Sequence, residues 1–279
     1  MIWLEYARQK SGRLVHINEV ARGKSGLSCP YCGKEVLARQ GHELSWHFAH
    51  VGDTCALARN KTRFKIPLYD DFFLGLSPKE VGALQYVHER GWVGIGGYAG
   101  ERLLISFTNR WLVGWNPYWG RRHTGRHEVT KLGKIPLGIL SLPLFAEIQA
   151  EKFKEFEEIN NDDSPDSEII RAHLRMLRRA WLYFLRVKIP EMPLLHKIGM
   201  TARGVDDRLA EIRADLTTHY PGTTVELLET WSNMGRVERY ARFRFRANQH
   251  RLGSRTEYFA FEDVKPVLRE LRRLQKMYD

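Results

Sequence analysis

The three cysteines of this chain all lie between positions 29 and 55, and this clustering constrains the fold of the N-terminal region more than any other feature. Cys29 and Cys32 flank a Pro-Tyr pair in a turn-forming segment, and Cys55 follows the histidines at 47 and 50. A disulfide scaffold would carry an even number of cysteines spread through a secreted chain. An odd number of cysteines beside histidines predicts a metal site instead, and thiolate with imidazole ligands favours tetrahedral zinc.

The expected zinc ligands are two thiolates from the turn and two groups from later in the chain. A Cys-x2-Cys turn directs both thiolates at one ion, so Cys29 and Cys32 form one half of the site. Side chains three positions apart on a strand point in different directions, and His50 lies nearer than His47 to the loop that holds Cys55. The predicted ligands are therefore Cys29, Cys32, His50 and Cys55, with His47 as the alternate. The other interpretation is a metal-free turn with buried thiols.

Three short motifs mark this region: Cys-Pro-x-Cys-Gly at 29–33, Arg-x-Gly at 39–41 and His-Phe-Ala-His at 47–50. Together they resemble the zinc-binding head of the CoiA-like competence proteins, over roughly the first 55 residues. No CoiA-like nuclease motif follows Cys55, so the resemblance is confined to the head. We expect residues 1–60 to form a small zinc-ribbon-like β domain. Its predicted strands are 2–7, 13–17, 36–39 and 44–49.

Residues 61–165 predict a mixed α/β middle domain. The Ser-Pro-Lys-Glu sequence at 77–80 is typical of a helix start, with proline at the first helical position. Strands are expected at 92–95, 102–108 and 111–115, and a helix at 143–159. Aromatic and cationic residues alternate in 115–127, as on a nucleic-acid surface, although core tryptophans beside a solvated basic loop are the favoured interpretation. The Asn, Asp and Ser residues of 160–167 predict a linker.

Residues 166–279 contain a hairpin pattern followed by a helix pattern. The aromatic and β-branched residues of 182–188 predict a strand, two prolines predict the turn after it, and 196–200 predict a second strand. Asp206 and Asp207 open a helix whose apolar residues recur at helical spacing. The other expected elements are helices at 169–180, 235–249 and 263–277, a strand at 224–231, and a short strand or turn at 257–261.

Five pieces of this region form an ordered set. They are Leu-Tyr-Phe at 182–184, Lys-Ile-Gly at 197–199, Arg-Leu at 208–209, Glu238, and Thr-Glu-Tyr-Phe at 256–259. In this order they resemble the phage-type branch of the GIY-YIG nucleases, over roughly residues 166–279. The resemblance implies a three-stranded antiparallel sheet with flanking helices.

The resemblance also implies a role for five side chains. Tyr183 would orient or deprotonate the attacking water, Arg208 would hydrogen-bond to the phosphate, and Glu238 would bind Mg²⁺. Lys197 replaces the family's second tyrosine, as is usual in the phage-type branch, and would place a cation near the phosphate. Arg242 stands where the family often has a histidine, so the general acid stays unassigned. Taken singly, Tyr183 is typical of a packing residue, and Arg208 and Glu238 are typical of surface ion pairs.

The net charge of the chain is +11, and most of it lies in residues 166–279, which hold 22 Lys and Arg against 15 Asp and Glu. A basic face attracts a polyphosphate backbone through counterion release, although a charge run is often only a solvated face. No segment approaches the roughly 20 apolar residues of a membrane span, and the first residues lack the layout of a signal peptide. We therefore expect a cytoplasmic protein that binds nucleic acid and not a membrane.

The sequence thus predicts an α+β multidomain protein divided at residues 1–60, 61–165 and 166–279. The expected function is that of a Mg²⁺-dependent endonuclease that hydrolyses phosphodiester bonds in DNA. A single carboxylate at Glu238 fits a one-metal site. A structural Zn²⁺ would hold the head, which with the middle domain would aid substrate binding. The alternative is a catalytically inactive nucleic-acid-binding protein with a nuclease-like fold.

Overall fold

The computed structural model describes residues 4–21, 23–40, 46–59, 64–70, 76–91, 101–115, 127–140, 142–253 and 255–278. The fold is α+β, and the strand pairs within these residues are antiparallel. Backbone contacts group the chain into two units, Met1–Tyr69 with Phe153–Asp279 and Asp70–Lys152. The sequence-based division into three domains stays a prediction. Within the ranges given above, no helix has an apolar stretch long enough to cross a membrane.

The described N-terminal residues form a small antiparallel sheet. Its elements are β1 (Tyr6–Arg8), β2 (Leu14–His16), β3 (Leu27–Ser28), β4 (Glu35–Arg39) and β5 (His47–His50), followed by helix α1 (Ala56–Arg59). The strand order is β2-β1-β3-β4-β5. Val36 and Ala38 alternate with more exposed neighbours on β4 and pack with Val15 and Phe48 in one apolar core. Each of the four strands predicted here overlaps an observed strand.

The described part of the unit Asp70–Lys152 combines helices with a short strand pair. Its elements are α2 (Pro78–Arg90), α3 (Glu101–Asn109), β6 (Val113–Trp115), β7 (His127–Val129) and the first part of α4 (Leu142–Ile159). Helix α2 begins where the Ser-Pro-Lys-Glu sequence predicts. The Glu80 backbone N–H donates to the Ser77 hydroxyl at 3.3 Å, and the Ser77 N–H donates to the Glu80 carboxylate at 2.7 Å.

One predicted element of this unit is wrong. Residues 102–108, predicted as a strand, lie in helix α3. Leu104 and Phe107 are buried, and their three-residue spacing places them on one face of a helix, whereas a strand would direct them to opposite faces. The strand predicted at 92–95 lies outside the described residues, and so do residues 116–126 of the aromatic and cationic segment.

The described C-terminal region contains a larger antiparallel sheet with helices around it. Its strands are β8 (Trp181–Lys188), β9 (Leu195–Thr201), β10 (Thr224–Trp231), β11 (Gln249–Leu252) and β12 (Arg255–Phe259), and its helices are α5 (Pro165–Arg179), α6 (Val205–His219), α7 (Glu238–Arg244) and α8 (Lys265–Tyr278). The strand order is β10-β8-β9-β12-β11. Leu209, Ile212 and Leu216 of α6 pack into the core on one face of this sheet. The predicted hairpin of β8 and β9 is confirmed, with Tyr183 directly opposite Gly199.

Two structural predictions for this region are wrong. The sheet has five strands within the described residues instead of three, because the hairpin of β11 and β12 adds to β9 through Tyr258 opposite Lys197. The helix predicted at 235–249 is shorter. A 3-10 turn at Gly235–Val237 leads into α7, which ends at Arg244, and the chain is already extended from Gln249.

The head, residues 4–59, shares buried contacts with the C-terminal region inside the first unit. A small core cluster joins β1 and β2 to α5 and consists of Tyr6, Leu14, Ile169 and Ala172. The Tyr31 hydroxyl donates a hydrogen bond of 2.8 Å to the Asp166 carboxylate on α5. Arg8 forms an ion pair with Glu168 on the same helix. The head therefore packs directly against the helix that leads into β8.

Candidate metal centre and candidate catalytic cluster

The three cysteines and His50 are brought together by the ends of three elements. Cys29 follows β3 and is held in a tight turn, in which its backbone N–H donates to Lys34 at 2.8 Å and its carbonyl accepts from Gly33 at 2.9 Å. Gly33 has a φ of 73°, a backbone conformation that suits glycine. His50 is the last residue of β5. Cys55 lies just before α1, and its sulfur accepts a hydrogen bond from the Ala58 N–H at 3.3 Å.

The ligand atoms of Cys29, Cys32, His50 and Cys55 all lie within 4.8 Å of one another. The Sγ atoms of Cys29 and Cys55 are 4.0 Å apart, and Cys32 Sγ is 3.4 Å from His50 Nε2. Ideal tetrahedral zinc bonds would give about 3.8 Å between two sulfurs and about 3.6 Å between sulfur and nitrogen. The group therefore fits one zinc ion with three thiolates and one imidazole, which are the four ligands that the sequence predicts.

His47, the alternate ligand, is not part of this group. It lies opposite Arg39 in the pairing of β4 and β5, whereas His50 lies opposite Val36 at the cysteine end of the sheet. His47 and His50 are three residues apart on one strand, so their side chains leave opposite faces of the sheet. The strand geometry selects His50.

The ionisation of these groups in the metal-free protein favours zinc binding coupled to proton release. Burial raises the pKa of the Cys29 thiol to about 12, so the thiol is protonated at neutral pH without an ion. Burial, followed by the positive charge of Lys34, lowers the pKa of His50, which leaves the imidazole neutral and able to donate a lone pair. A bound cation would displace the thiol proton, as is general for cysteine ligands.

The Tyr183 side chain lies at the centre of the C-terminal candidate site. It is buried on β8, and its ring crosses the backbone of Gly199 on β9. A Cβ atom added at Gly199 would lie only 2.4 Å from the Tyr183 hydroxyl oxygen. Glycine at this position therefore makes room for the phenol.

Arg208, on the first turn of α6, pairs with Glu211 and interacts electrostatically with Tyr183. Its guanidinium donates to the Glu211 carboxylate at 2.9 Å, and Tyr183 acts on it electrostatically. Burial acts to lower the pKa of Arg208, but Tyr183 and Glu211 act to raise it, and the net shift is upward. The guanidinium thus keeps its charge while most of it is removed from solvent.

Lys197 is buried on β9 and donates to the Glu257 carboxylate of β12 at 2.5 Å. Burial acts to raise the pKa of Glu257, but Lys197, then Arg242 and Arg208, lower it, and the net shift is downward. The Glu257 carboxylate therefore links Lys197 electrostatically with both arginines. Glu257 is absent from the predicted site residues, although the Thr-Glu-Tyr-Phe sequence at 256–259 contains it.

Glu238 is buried at the start of α7, and its carboxylate accepts from Arg242 one turn later at 3.2 Å. The Arg239 side chain lies 3.6 Å from the other carboxylate oxygen. Within the described residues, the only group of three or more metal-ligating Cys, His, Asp or Glu side chains is the one at Cys29. Glu238 would therefore be a single protein ligand to Mg²⁺, an ion that keeps most of its waters, and the ion would compete with Arg242.

The structure places two pairs among these residues in short contact, and the others interact electrostatically. Glu238 contacts Arg242 and Lys197 contacts Glu257, whereas Tyr183 interacts electrostatically with Arg208. The sequence-based prediction omitted Glu257, whose carboxylate interacts electrostatically with Arg242 and Arg208. Lys197 and Glu257 are 60 residues apart in the sequence, so no local sequence pattern could predict that they form a pair.

His196, next to Lys197, is a buried histidine of a different kind. Its ring stacks on Phe184 with the ring centroids 5.5 Å apart, and its nitrogens have no hydrogen-bond partner among the described residues. Burial, then the positive charge of its cross-strand neighbour Arg186, lowers the pKa of His196 to about 4. The imidazole is therefore neutral at physiological pH and acts as a packing residue.

Comparison with known proteins identifies one part of the chain. Residues 15–58 match the family described as Competence protein CoiA, N-terminal domain. This match runs from β2 through α1 and contains all four candidate zinc ligands, so the resemblance predicted for the head is confirmed. No curated protein and no solved structure matches the chain. The resemblance of residues 166–279 to the GIY-YIG nucleases stays a prediction.

Proposed function

We propose that the protein is a metal-dependent endonuclease that hydrolyses phosphodiester bonds in DNA, with its catalytic residues in the C-terminal region. The observation that carries the proposal is the buried Tyr183 phenol packed over Gly199, with the Lys197–Glu257 pair on the adjoining strands β9 and β12 and the charge of Arg208 acting on the same group of residues. This arrangement supports the GIY-YIG-like interpretation of the sequence.

In this proposal the chain's own residues perform three tasks. Arg208 binds a non-bridging oxygen of the scissile phosphate and stabilises the charge that develops there. The Tyr183 hydroxyl, held over Gly199, orients the attacking water. Mg²⁺ bound at Glu238 would supply a Lewis acid for the phosphate. Lys197 is neutralised by Glu257, and the two therefore position the site instead of carrying a free charge to the substrate.

DNA is the proposed substrate because the surface charge favours a polyanion. A cleft of about 310 Å³ between the head and α5 is lined by Arg13, Arg175 and Arg179, among others. Arg13 pairs with Glu19, whereas Arg175 and Arg179 form no ion pair with other described residues. Unpaired arginines in a cleft are suited to phosphate groups. The CoiA-type head further supports a competence-related role that involves nucleic acid.

The test is cleavage of supercoiled plasmid by the purified full chain, with Mg²⁺ and in Mg²⁺-free buffer that leaves zinc in place. We expect Glu238→Ala to abolish cleavage and to leave DNA binding intact. Arg208→Ala should lower turnover about 10²- to 10³-fold, as loss of one preorganised donor does. The matched control is Glu226→Ala, which removes a glutamate that also pairs with an arginine, at 2.7 Å, but in an exposed position on β10. Full activity of Glu238→Ala would refute the assignment.

A second candidate function is nucleic-acid binding without catalysis. The observation in its favour is that the Glu238 carboxylate is already engaged by Arg242 and Arg239, so a metal ion would have to compete with two cations. Absence of cleavage with Mg²⁺ or Mn²⁺, together with salt-dependent DNA binding, would favour this candidate over the nuclease.

A further inference from the structure

One aromatic side chain of the head lies against the candidate catalytic arginine of the C-terminal region. Trp46 directly precedes β5, the strand that ends at the candidate zinc ligand His50. The Trp46 ring centroid lies 5.9 Å from the Arg208 guanidinium carbon and 5.8 Å from that of Arg203. Both distances are within the range of a cation–π interaction.

The two arginines under Trp46 are also joined to each other. Glu211 accepts a hydrogen bond from Arg203 at 2.7 Å through one carboxylate oxygen and from Arg208 at 2.9 Å through the other. Arg208 therefore has Tyr183, Glu211 and the face of Trp46 around it. Glu211 directs one of its N–H groups, and the indole restricts the plane of the guanidinium, because the ring attracts a cation over its face.

We propose that Trp46 is a positioning residue for the C-terminal site, and that the zinc-bound head controls this site through it. The proposal rests on the proposed nuclease function for its catalytic consequence. A zinc ion would fix His50 at the end of β5, and β5 presents Trp46 to Arg203 and Arg208. Loss of the ion would free one end of this strand and loosen the contact with the guanidinium groups.

The discriminating pair of variants is Trp46→Leu and Trp46→Phe in the full-length, zinc-loaded protein. Both keep an apolar side chain where Trp46 packs against the head core, but only phenylalanine keeps an aromatic face. The matched control is Trp111→Leu, which removes a tryptophan that also lies beneath a cation, Lys152 at 4.2 Å, in the unit Asp70–Lys152. Zinc content measured on each variant shows that the metal centre is intact.

The first readout is amide hydrogen exchange of residues 203–211. We expect faster exchange in Trp46→Leu and after zinc removal, and exchange close to wild type in Trp46→Phe and Trp111→Leu. The second readout is plasmid cleavage, where Trp46→Leu should lower kcat about 3- to 30-fold and change KM by less than about twofold.

Unchanged exchange of residues 203–211 in Trp46→Leu would overturn the proposal, and equal defects in the leucine and phenylalanine variants would remove the role of the aromatic face. Unchanged exchange after zinc removal would overturn the link to the metal centre. Absence of cleavage by the wild-type protein would refute the proposed nuclease, whereas the exchange of residues 203–211 would still decide whether Trp46 positions Arg208.

Discussion

Replacement of Gly199 by alanine tests the packing of the candidate site most directly. Tyr183 and Gly199 are cross-strand neighbours, and the phenol occupies the space that a side chain at 199 would need. A Cβ atom there would lie 2.4 Å from the Tyr183 oxygen, 2.6 Å from Cζ and 2.9 Å from Cε2, where ordinary contacts begin near 3.4 Å. The ring must therefore move by about 1 Å inside a packed core, and overpacking of this kind costs about 1–3 kcal/mol of the free energy of unfolding.

The measurement is urea unfolding followed by far-UV circular dichroism, with plasmid cleavage as a second assay. Tyr183→Leu shortens the side chain, so the loss in Tyr183→Leu with Gly199→Ala should be smaller than the sum of the two single losses. Gly82→Ala is the control, because a Cβ at Gly82 on α2 meets no atom within 4 Å. Alanine should stabilise that helix by up to about 1 kcal/mol.

The cleavage assay distinguishes an effect of Gly199→Ala on the position of the Tyr183 phenol from its effect on the free energy of unfolding. If the Tyr183 hydroxyl acts on Arg208 and the attacking water, Gly199→Ala should lower turnover at temperatures where the variant is fully folded. Wild-type stability together with wild-type turnover would show that the Tyr183 ring does not occupy the space above Gly199. Additive losses in the double variant would lead to the same conclusion.

Three further perturbations test other parts of the molecule. Elemental analysis should find about one zinc per chain, and Cys29→Ser should lose the ion and destabilise the head; zinc-free protein purified without chelators would contradict this. DNA affinity should fall steeply with salt, and Arg175→Glu with Arg179→Glu should weaken it further than the exposed Arg269→Glu control, as measured by fluorescence anisotropy. The pKa of His196 is about 4 when folded, below the unfolded value, so its contribution to stability is complete above pH about 6.5. As pH falls towards about 4, this contribution to the free energy of unfolding is lost by about 1.4 kcal/mol per pH unit. The free energy of unfolding of His196→Leu should therefore depend less on pH in the acid range than that of the wild type. Identical pH profiles of the two proteins would refute the assignment.

The cluster of candidate zinc ligands and the central hairpin could be predicted because their determinants are local. Thiol spacing on a Pro-Gly turn fixes Cys29 and Cys32, and strand alternation separates His47 from His50. The strands β8, β9 and β10 carry β-branched and aromatic residues between turn residues, and all three form, with β8 and β9 paired as the predicted hairpin. In these segments the structure has the elements that the local residue pattern predicts.

Other features depend on partners far along the chain. The helix α3 contains a short apolar run that suits a strand as well as a helix, and only burial of Leu104 and Phe107 on one face decides between them. The strand β11, whose sequence is Gln-His-Arg-Leu, becomes a strand because β12 pairs with it and then with β9. The contact of Trp46 with Arg208 crosses 162 positions of the sequence, and no periodicity could indicate it.

The shared core of the head and α5 gives the zinc centre a consequence beyond the head itself. Ile169 and Ala172 are buried by Tyr6 and Leu14, so the helix before β8 depends on head residues for part of its apolar burial. A head that unfolds without zinc would expose this face of α5 and at the same time withdraw Trp46 from Arg208. Zinc bound more than 100 residues from the candidate catalytic residues would thus stabilise their scaffold and hold one of them in place. The proposed coupling predicts that the C-terminal site would be complete only when the metal centre is folded.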